Sequence, residues 1–286
     1  MILSMTGFGK ASLQLSTKKI TVEVKSLNSK GLDLNTRMPS VYRENELALR
    51  NLLALKLERG KVDFSLYVEV TGEDTSSKIN APIVKAYMAQ LKTILPNADD
   101  TELMKMAIRM PDTMKTEREE IDENEWKQIQ TVIDEAIENM LSFRKSEGAS
   151  LEKEFTLRIE NIRNYMNQAL VLDPERVTNI KERLQTAIDE LKVNVDTNRF
   201  EQELIYYLEK LDITEEKVRL TNHLDYFLQT LNGSEANGRK LGFITQEMGR
   251  EINTMGSKSN HTEMQKLVVM MKDELEKIKE QVLNVL

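Results

Sequence analysis

Residues 18–39, KKITVEVKSLNSKGLDLNTRMP, alternate apolar and polar side chains at Ile20, Val22 and Val24 and again at Leu32 and Leu34, the period of two that a half-buried strand imposes. Asn28-Ser29-Lys30-Gly31 between the two runs has the chemistry of a turn, so the stretch reads as a β-hairpin. Downstream, Ser40 is placed to cap a helix that carries Leu47, Leu49, Leu52, Leu53 and Leu57 to about Arg59, with Gly60 as its stop. KVDFSLYVEV (61–70) then returns to alternation as a further strand. Residues 71–82 read as a polar loop, and 83–116 as one or two helices interrupted over Pro96–Asp100.

From about residue 117 the spacing of apolar residues changes to three and four, the mark of amphipathic helices. Asp173-Pro174 and Asp196-Thr197-Asn198 suggest turns, which divides this part into helices near 117–145, 148–172, 174–193, 198–210 and 214–231. MQKLVVMMKDELEKIKEQVLNVL (264–286) adds a last helix. The expected fold class is α+β: a strand-containing N-terminal domain over residues 1–155, then a mostly helical domain over 156–286. Long charged helices often pack between subunits, so a homo-oligomer is expected.

Composition narrows the function. The absence of cysteine excludes disulfides, zinc–thiolate sites, iron–sulfur clusters and cysteine nucleophiles, and suits a reducing compartment. No segment approaches the roughly 20 apolar residues of a membrane span, so a cytoplasmic protein without membrane contact is expected. The net charge of −7 conceals two segments, 1–70 and 233–260, in which Lys and Arg outnumber Asp and Glu. An acidic body with local basic segments suits a protein that grips a polyanion at one place and repels it elsewhere.

The densest polar chemistry lies in NGRKLGFITQEMGREINTMGSKSN (237–260). Wound at about 100° per residue, it gathers Leu241, Ile244, Met248, Ile252 and Met255 into a buried stripe and sets Arg239, Gln246, Arg250 and Asn253 opposite. Lys240, Glu247 and Glu251 form a flank. Guanidinium groups offer paired donors to phosphate oxygens, and amides can read bases or ribose hydroxyls. Glu247 and Glu251, one turn apart, can share a divalent ion or a proton, or pair with neighbouring cations on a solvated face. His223 and His261 are the only histidines; the first suits packing or acid–base work, the second a helix start. GSEANGRKLG lacks the Lys-Ser/Thr ending of a nucleotide-binding loop, and no nucleophile elbow is present.

SMTGFG (4–9), EVKSLNSKGLDLNTRMP (23–39), RGKVD (59–63) and GRKLGFITQEMGREINTMGSKSN (238–260) together resemble the YicC/YloC family over nearly the whole chain. The resemblance implies a cytoplasmic endoribonuclease that acts on RNA, assembles as a ring-like hexamer and uses a divalent metal. Within the matching strings stand Arg239, Lys240, Gln246, Glu247, Arg250, Glu251, Asn253 and Lys258, and His223 stands in a further matching stretch, EEKVRLTNHL (215–224). His261 occupies a place where the family usually has Asn or Asp, so no family role passes to it.

These readings combine into a metal-assisted phosphodiester hydrolase acting on RNA. Glu247, Arg250, Glu251 and His223 are the catalytic candidates, with Glu247 and Glu251 as ligands for Mg or Mn. Arg250 would stabilise charge on the phosphoryl oxygens. Without metal, His223 or Glu247 would serve as base on the ribose 2′-hydroxyl. Arg239, Lys240, Gln246, Asn253, Lys258, Arg37, Lys30, Arg59 and Lys61 are the expected RNA-binding residues. The alternative is a non-catalytic RNA-binding adaptor that presents small RNAs to another nuclease.

Overall fold

The computed structural model describes residues 2–71, 78–115, 123–191, 197–233 and 238–286. A four-stranded sheet opens the chain: β1 (Gly7–Gln14), β2 (Lys18–Leu27), β3 (Leu32–Arg37) and, after helix α1 (Glu46–Leu57), β4 (Gly60–Val70). Two shorter helices follow, α2 (Ala81–Ile94) and α3 (Asp100–Ala107), either side of the expected interruption. Lys78–Ile79 and Met114–Lys115, on either side of these helices, pair as a short two-stranded sheet. From Glu123 the chain is helical: α4 (Glu123–Leu191), α5 (Thr197–Leu211), α6 (Thr214–Leu231), α7 (Gly238–Lys258) and α8 (Thr262–Val282). The α+β class and the order of its parts are as the sequence indicates. No helix among the described residues is long and apolar enough to cross a membrane.

The hairpin expected over 18–39 does not form. The sheet order is β1-β2-β4-β3; β2 pairs antiparallel with β1 and β4, and β3 lies parallel to β4. Helix α1 therefore acts as the crossover between two parallel neighbours, which a two-residue turn cannot join. A short 3-10 turn, Ser40–Asn45, precedes α1, and no side chain caps either start. The helix ends in a left-handed turn at Glu58 (φ 53°), and Gly60 (φ 126°) already begins β4.

The strand β1 escaped the sequence reading because its inward side is made of residues with poor strand propensity. Their smallness has a cause. A Cβ at Gly9 would fall onto the carbonyl oxygen of Ala136 and lie 2.7 Å from the amide of Met140, so α4 can rest on β1 only if that position is glycine. One face of the sheet (Ile20, Val22, Val24, Val62, Phe64, Leu66) is thus buried under α1 and the first half of α4.

The breaks expected near residue 146 and at Asp173-Pro174 are absent, because α4 is one continuous helix of 69 residues. Gly148 leaves room for the backbone of Ile2, whose carbonyl carbon would be 2.9 Å from a Cβ there. Pro174 removes one helical hydrogen bond. Tertiary contacts hold the helix through it: buried Arg176 donates to the carbonyls of Leu211 and Lys258, both at 2.8 Å. The second half of α4 (Leu151, Phe155, Ile159, Ile162, Met166) forms a separate core with α6, α7 and α8. Residue 155, where the domain division is expected, lies inside this helix.

The two cores meet around Arg144. Its guanidinium, on a residue only 1% exposed, donates to the Ser26 hydroxyl (2.6 Å) and to the carbonyls of Leu57 (3.2 Å), Arg59 (3.2 Å) and Met5 (3.3 Å). Burial pushes its pKa down, and the charge of Glu58 partly offsets this. Beside it the chain's two ends pair: the Met5 amide donates to the Asn284 carbonyl (2.7 Å) and the Leu286 amide to the Leu3 carbonyl (2.9 Å). This pairing carries the end of α8 to the rim of the sheet.

Candidate functional site

The rim opens into a cleft of about 740 Å³. Asn28 and Lys30 come from the β2–β3 connection, Arg59 from the turn before β4, and Gly238, Arg239 and Gly242 from the first turns of α7. Met5, Val282, Leu283 and Val285 form an apolar wall. Three of the expected RNA-binding cations, Lys30, Arg59 and Arg239, therefore converge although up to 209 positions separate them in the chain. The Arg59 Nε is held by the Ser29 carbonyl at 2.9 Å, which fixes the guanidinium at the opening. Among the described residues lining the cleft there is no Asp, Glu or His.

Along α7 the expected stripe of Leu241, Ile244, Met248, Ile252 and Met255 is buried, and Arg239, Gln246, Arg250 and Asn253 are exposed. Glu247 and Glu251 part company. The Glu247 carboxylate accepts from Arg250 Nη1 at 2.7 Å, the arginine side chain remaining 72% exposed, whereas Glu251 is 8% exposed and belongs to the buried face. Two helices, α6 and α8, pack against α7, so its covered arc is wider than one apolar stripe. His223 is half-buried on α6, antiparallel to α7. From α7, Lys240 places its ammonium 4.9 Å from the ring centre of Tyr226, a cation–π contact.

The other expected contacts are dispersed. Lys258 donates to the Asp212 carbonyl and to buried Glu216, both at 2.8 Å, tying the end of α7 to the start of α6. Lys61 points from the uncovered sheet face. Arg37 lines a 190 Å³ depression on that face with Glu23, Lys25, Asp63, Ser65 and Tyr67. His261 caps α8, its Nδ1 accepting from the Met264 amide at 3.4 Å.

The sequence reading missed Phe243, which is 57% exposed. It lies one turn before Gln246 and Glu247 and two before Arg250, in the middle of the polar face. An aromatic residue on the polar side of the wheel was the available signal. The apolar wall from the end of α8 gave no such signal, because its part in the cleft arises only from the pairing of the chain's ends.

The model described as "Endoribonuclease YicC-like, N-terminal region" matches residues 2–153, and "Endoribonuclease YicC-like, C-terminal" matches residues 170–286. The chain belongs to the YicC-like family. It is 33% identical over 293 aligned residues to "Probable endoribonuclease YicC" of Clostridioides difficile (strain 630), covering 100% of both chains. A YicC-like relative of the same name in Haemophilus influenzae is 28% identical over 286 residues, covering 99% of both. The N-terminal family region thus supplies Lys30 and Arg59 to the cleft, and the C-terminal one supplies Arg239.

Proposed function

We propose that this chain is an endoribonuclease that holds RNA by its phosphates in the cationic cleft and cleaves it along the exposed face of α7. The observation that carries the reading is the convergence of Lys30, Arg59 and Arg239 in one cleft without an acidic residue among its described lining. Clefts lined by one sign of charge concentrate the opposite charge. Full-length relatives named "Probable endoribonuclease YicC" support the endoribonuclease part of this reading.

On α7, Phe243 offers a face on which a base can stack, and Gln246 and Asn253 offer amide donors and acceptors beside it. A phosphate arriving there competes with Glu247 for Arg250. Arg250 then donates to the phosphoryl oxygens, and Glu247, released, takes the proton of the ribose 2′-hydroxyl. The 2′-oxygen bonds to phosphorus as the bond to the 5′-oxygen breaks, solvent water protonates that leaving oxygen, and a 2′,3′-cyclic phosphate is left. His223 on the neighbouring helix is the second candidate for that proton.

Among the described residues no three His, Asp or Glu side chains gather into a metal cage. A hydrated Mg or Mn ion needs only one or two carboxylates together with substrate phosphate. Glu247 fits that lesser role, with Glu251 as a second ligand only if it turns out of the helix packing. A bound ion would supply neutralisation of the phosphoryl charge. Incubating purified protein with labelled RNA, with and without chelator, and then analysing the product ends tests both readings. A 2′,3′-cyclic phosphate formed in chelator supports the 2′-hydroxyl route; loss of all cleavage in chelator supports the ion. Absence of cleavage under both conditions would leave the RNA-binding adaptor as the function.

Lys30→Ala is expected to weaken RNA binding and to reduce the slope of log affinity against log salt by about one unit, the signature of one lost phosphate contact. An unchanged slope would remove Lys30 from the interface. A homo-oligomer is also proposed, of six subunits by the family resemblance. Ile205, Tyr206 and Tyr207 on α5 are exposed apolar surface that a second subunit would cover. Light scattering is expected to give a multiple of 33.0 kDa, and a single-subunit mass at micromolar concentration would overturn this.

A further inference from the structure

We propose that the cleft takes the terminal phosphomonoester of an RNA strand, and that this anchored end sets where along the strand cleavage occurs; the proposal rests on the endoribonuclease reading above. The make-up of the cleft points to its ligand. Arg250 is paired with Glu247, Lys258 with Glu216 and Arg158 with Glu274. In the cleft Lys30, Arg59 and Arg239 face one concave space whose described lining holds no acid, and Lys30 has no hydrogen bond or ion pair among the described residues. A phosphomonoester near neutral pH carries a charge of about −1.5 to −2 and three acceptor oxygens, more than an internal phosphodiester offers to the same groups.

Size and shape agree with a strand end. A volume of 740 Å³ falls within the range of about 300–1,000 Å³ typical of small-molecule sites. Of the apolar lining, Leu283 is exposed while Met5, Val282 and Val285 are buried behind it, so a terminal nucleotide can set its base against Leu283 and its phosphate among the positive groups.

The same cleft is poorly equipped for cleavage. Its described lining offers no carboxylate or imidazole to move a proton. The candidates for that step are Glu247, farther along α7, and His223 on α6; Glu247 and the phosphate-binding Arg250 lie about 12 and 16 Å from Arg239 at the helical rise. A strand anchored by its end would therefore lay an internal phosphodiester on the face that carries Phe243, Glu247 and Arg250. Binding and cleavage are separate places on one helix.

The test uses the full chain and one RNA sequence prepared in three forms: with a 5′-monophosphate, with a 3′-phosphate, and with hydroxyls at both ends. One phosphorylated form is expected to bind, and to be cleaved at low concentration, at least about tenfold better than the hydroxyl form, the scale of one added charge-assisted hydrogen bond. Which form gains identifies the end. Gly242→Leu provides a variant that removes no charge. A Cβ at Gly242 meets only Val282 Cγ1, at 3.7 Å, so the helix accepts it while the side chain fills the cleft. Both Gly242→Leu and Arg239→Ala are expected to bring the ratio between forms to about one. Cleavage at equal rates for all three forms would overturn the anchor and leave the endoribonuclease standing. If no form is cleaved the nuclease reading fails, and the binding ratio alone then decides the anchor: equal affinities overturn it.

Discussion

Arg144→Met is expected to lower the free energy of unfolding by about 2–4 kcal/mol, read as a shift of the urea midpoint with little change in slope. Methionine retains much of the apolar stem and loses the guanidinium. That group donates to four oxygens drawn from the N-terminal segment, β2, the end of α1 and the turn before β4. Hydrogen bonds from a charged donor contribute about 1.5–3 kcal/mol each before the cost of burying the charge, which is several kcal/mol for an isolated ion. The net is favourable here because four partners share one ion, and the loss is held to this size because two of the carbonyls keep another donor once it is gone: Leu57 accepts from the Arg59 amide and Met5 from the Ser26 hydroxyl. The Arg59 carbonyl is left with the full loss. Arg144→Lys keeps the charge but cannot span the same acceptors, so a destabilisation between zero and that of methionine is expected. A methionine variant within about 0.5 kcal/mol of the parent, the range of an ordinary surface substitution, would show that Arg144 does not hold this junction.

Arg250→Lys is expected to slow single-turnover cleavage by about 10²–10³-fold while changing thermal stability little. The parent arginine is exposed, and its partner Glu247 lies one turn before it. A lysine can keep that surface pair, worth at most about 1 kcal/mol, so folding tolerates the change. What lysine cannot supply is two parallel donors to one phosphoryl group. Glu247→Gln is expected to lose about 10²–10⁴-fold in the same assay, the contribution of a positioned general base. A lysine variant cleaving within about threefold of the parent would remove Arg250 from the chemistry and leave it as half of a surface ion pair.

The helical periodicity of 237–260 was legible in full: the stripe from Leu241 to Met255 is buried and Gln246, Arg250 and Asn253 are exposed, because which face a residue occupies depends only on the local repeat of 3.6. How wide the buried arc becomes depends on how many neighbours pack against it. A wheel cannot tell that α6 and α8 together also cover Glu251 and Thr245. Lys258 makes the same point, since a lysine at a helix end looks solvated until the start of α6 is brought to it.

The same division runs through the fold. Local spacing and turn chemistry determined strands 18–27, 32–37 and 60–70, the helices, and the basic character of the segments that carry Lys30, Arg59 and Arg239. Tertiary structure decided the strand order, the continuity of α4 through Gly148 and Pro174, and the cleft itself. Each of these arises from contacts between residues far apart in the chain: α4 resting on glycines of β1, Arg144 joining four segments, and the two ends pairing at Ser4 and Val285. A side chain's own neighbours in sequence set its helix or strand face; which distant charges share a cavity is set only when the cores close around them.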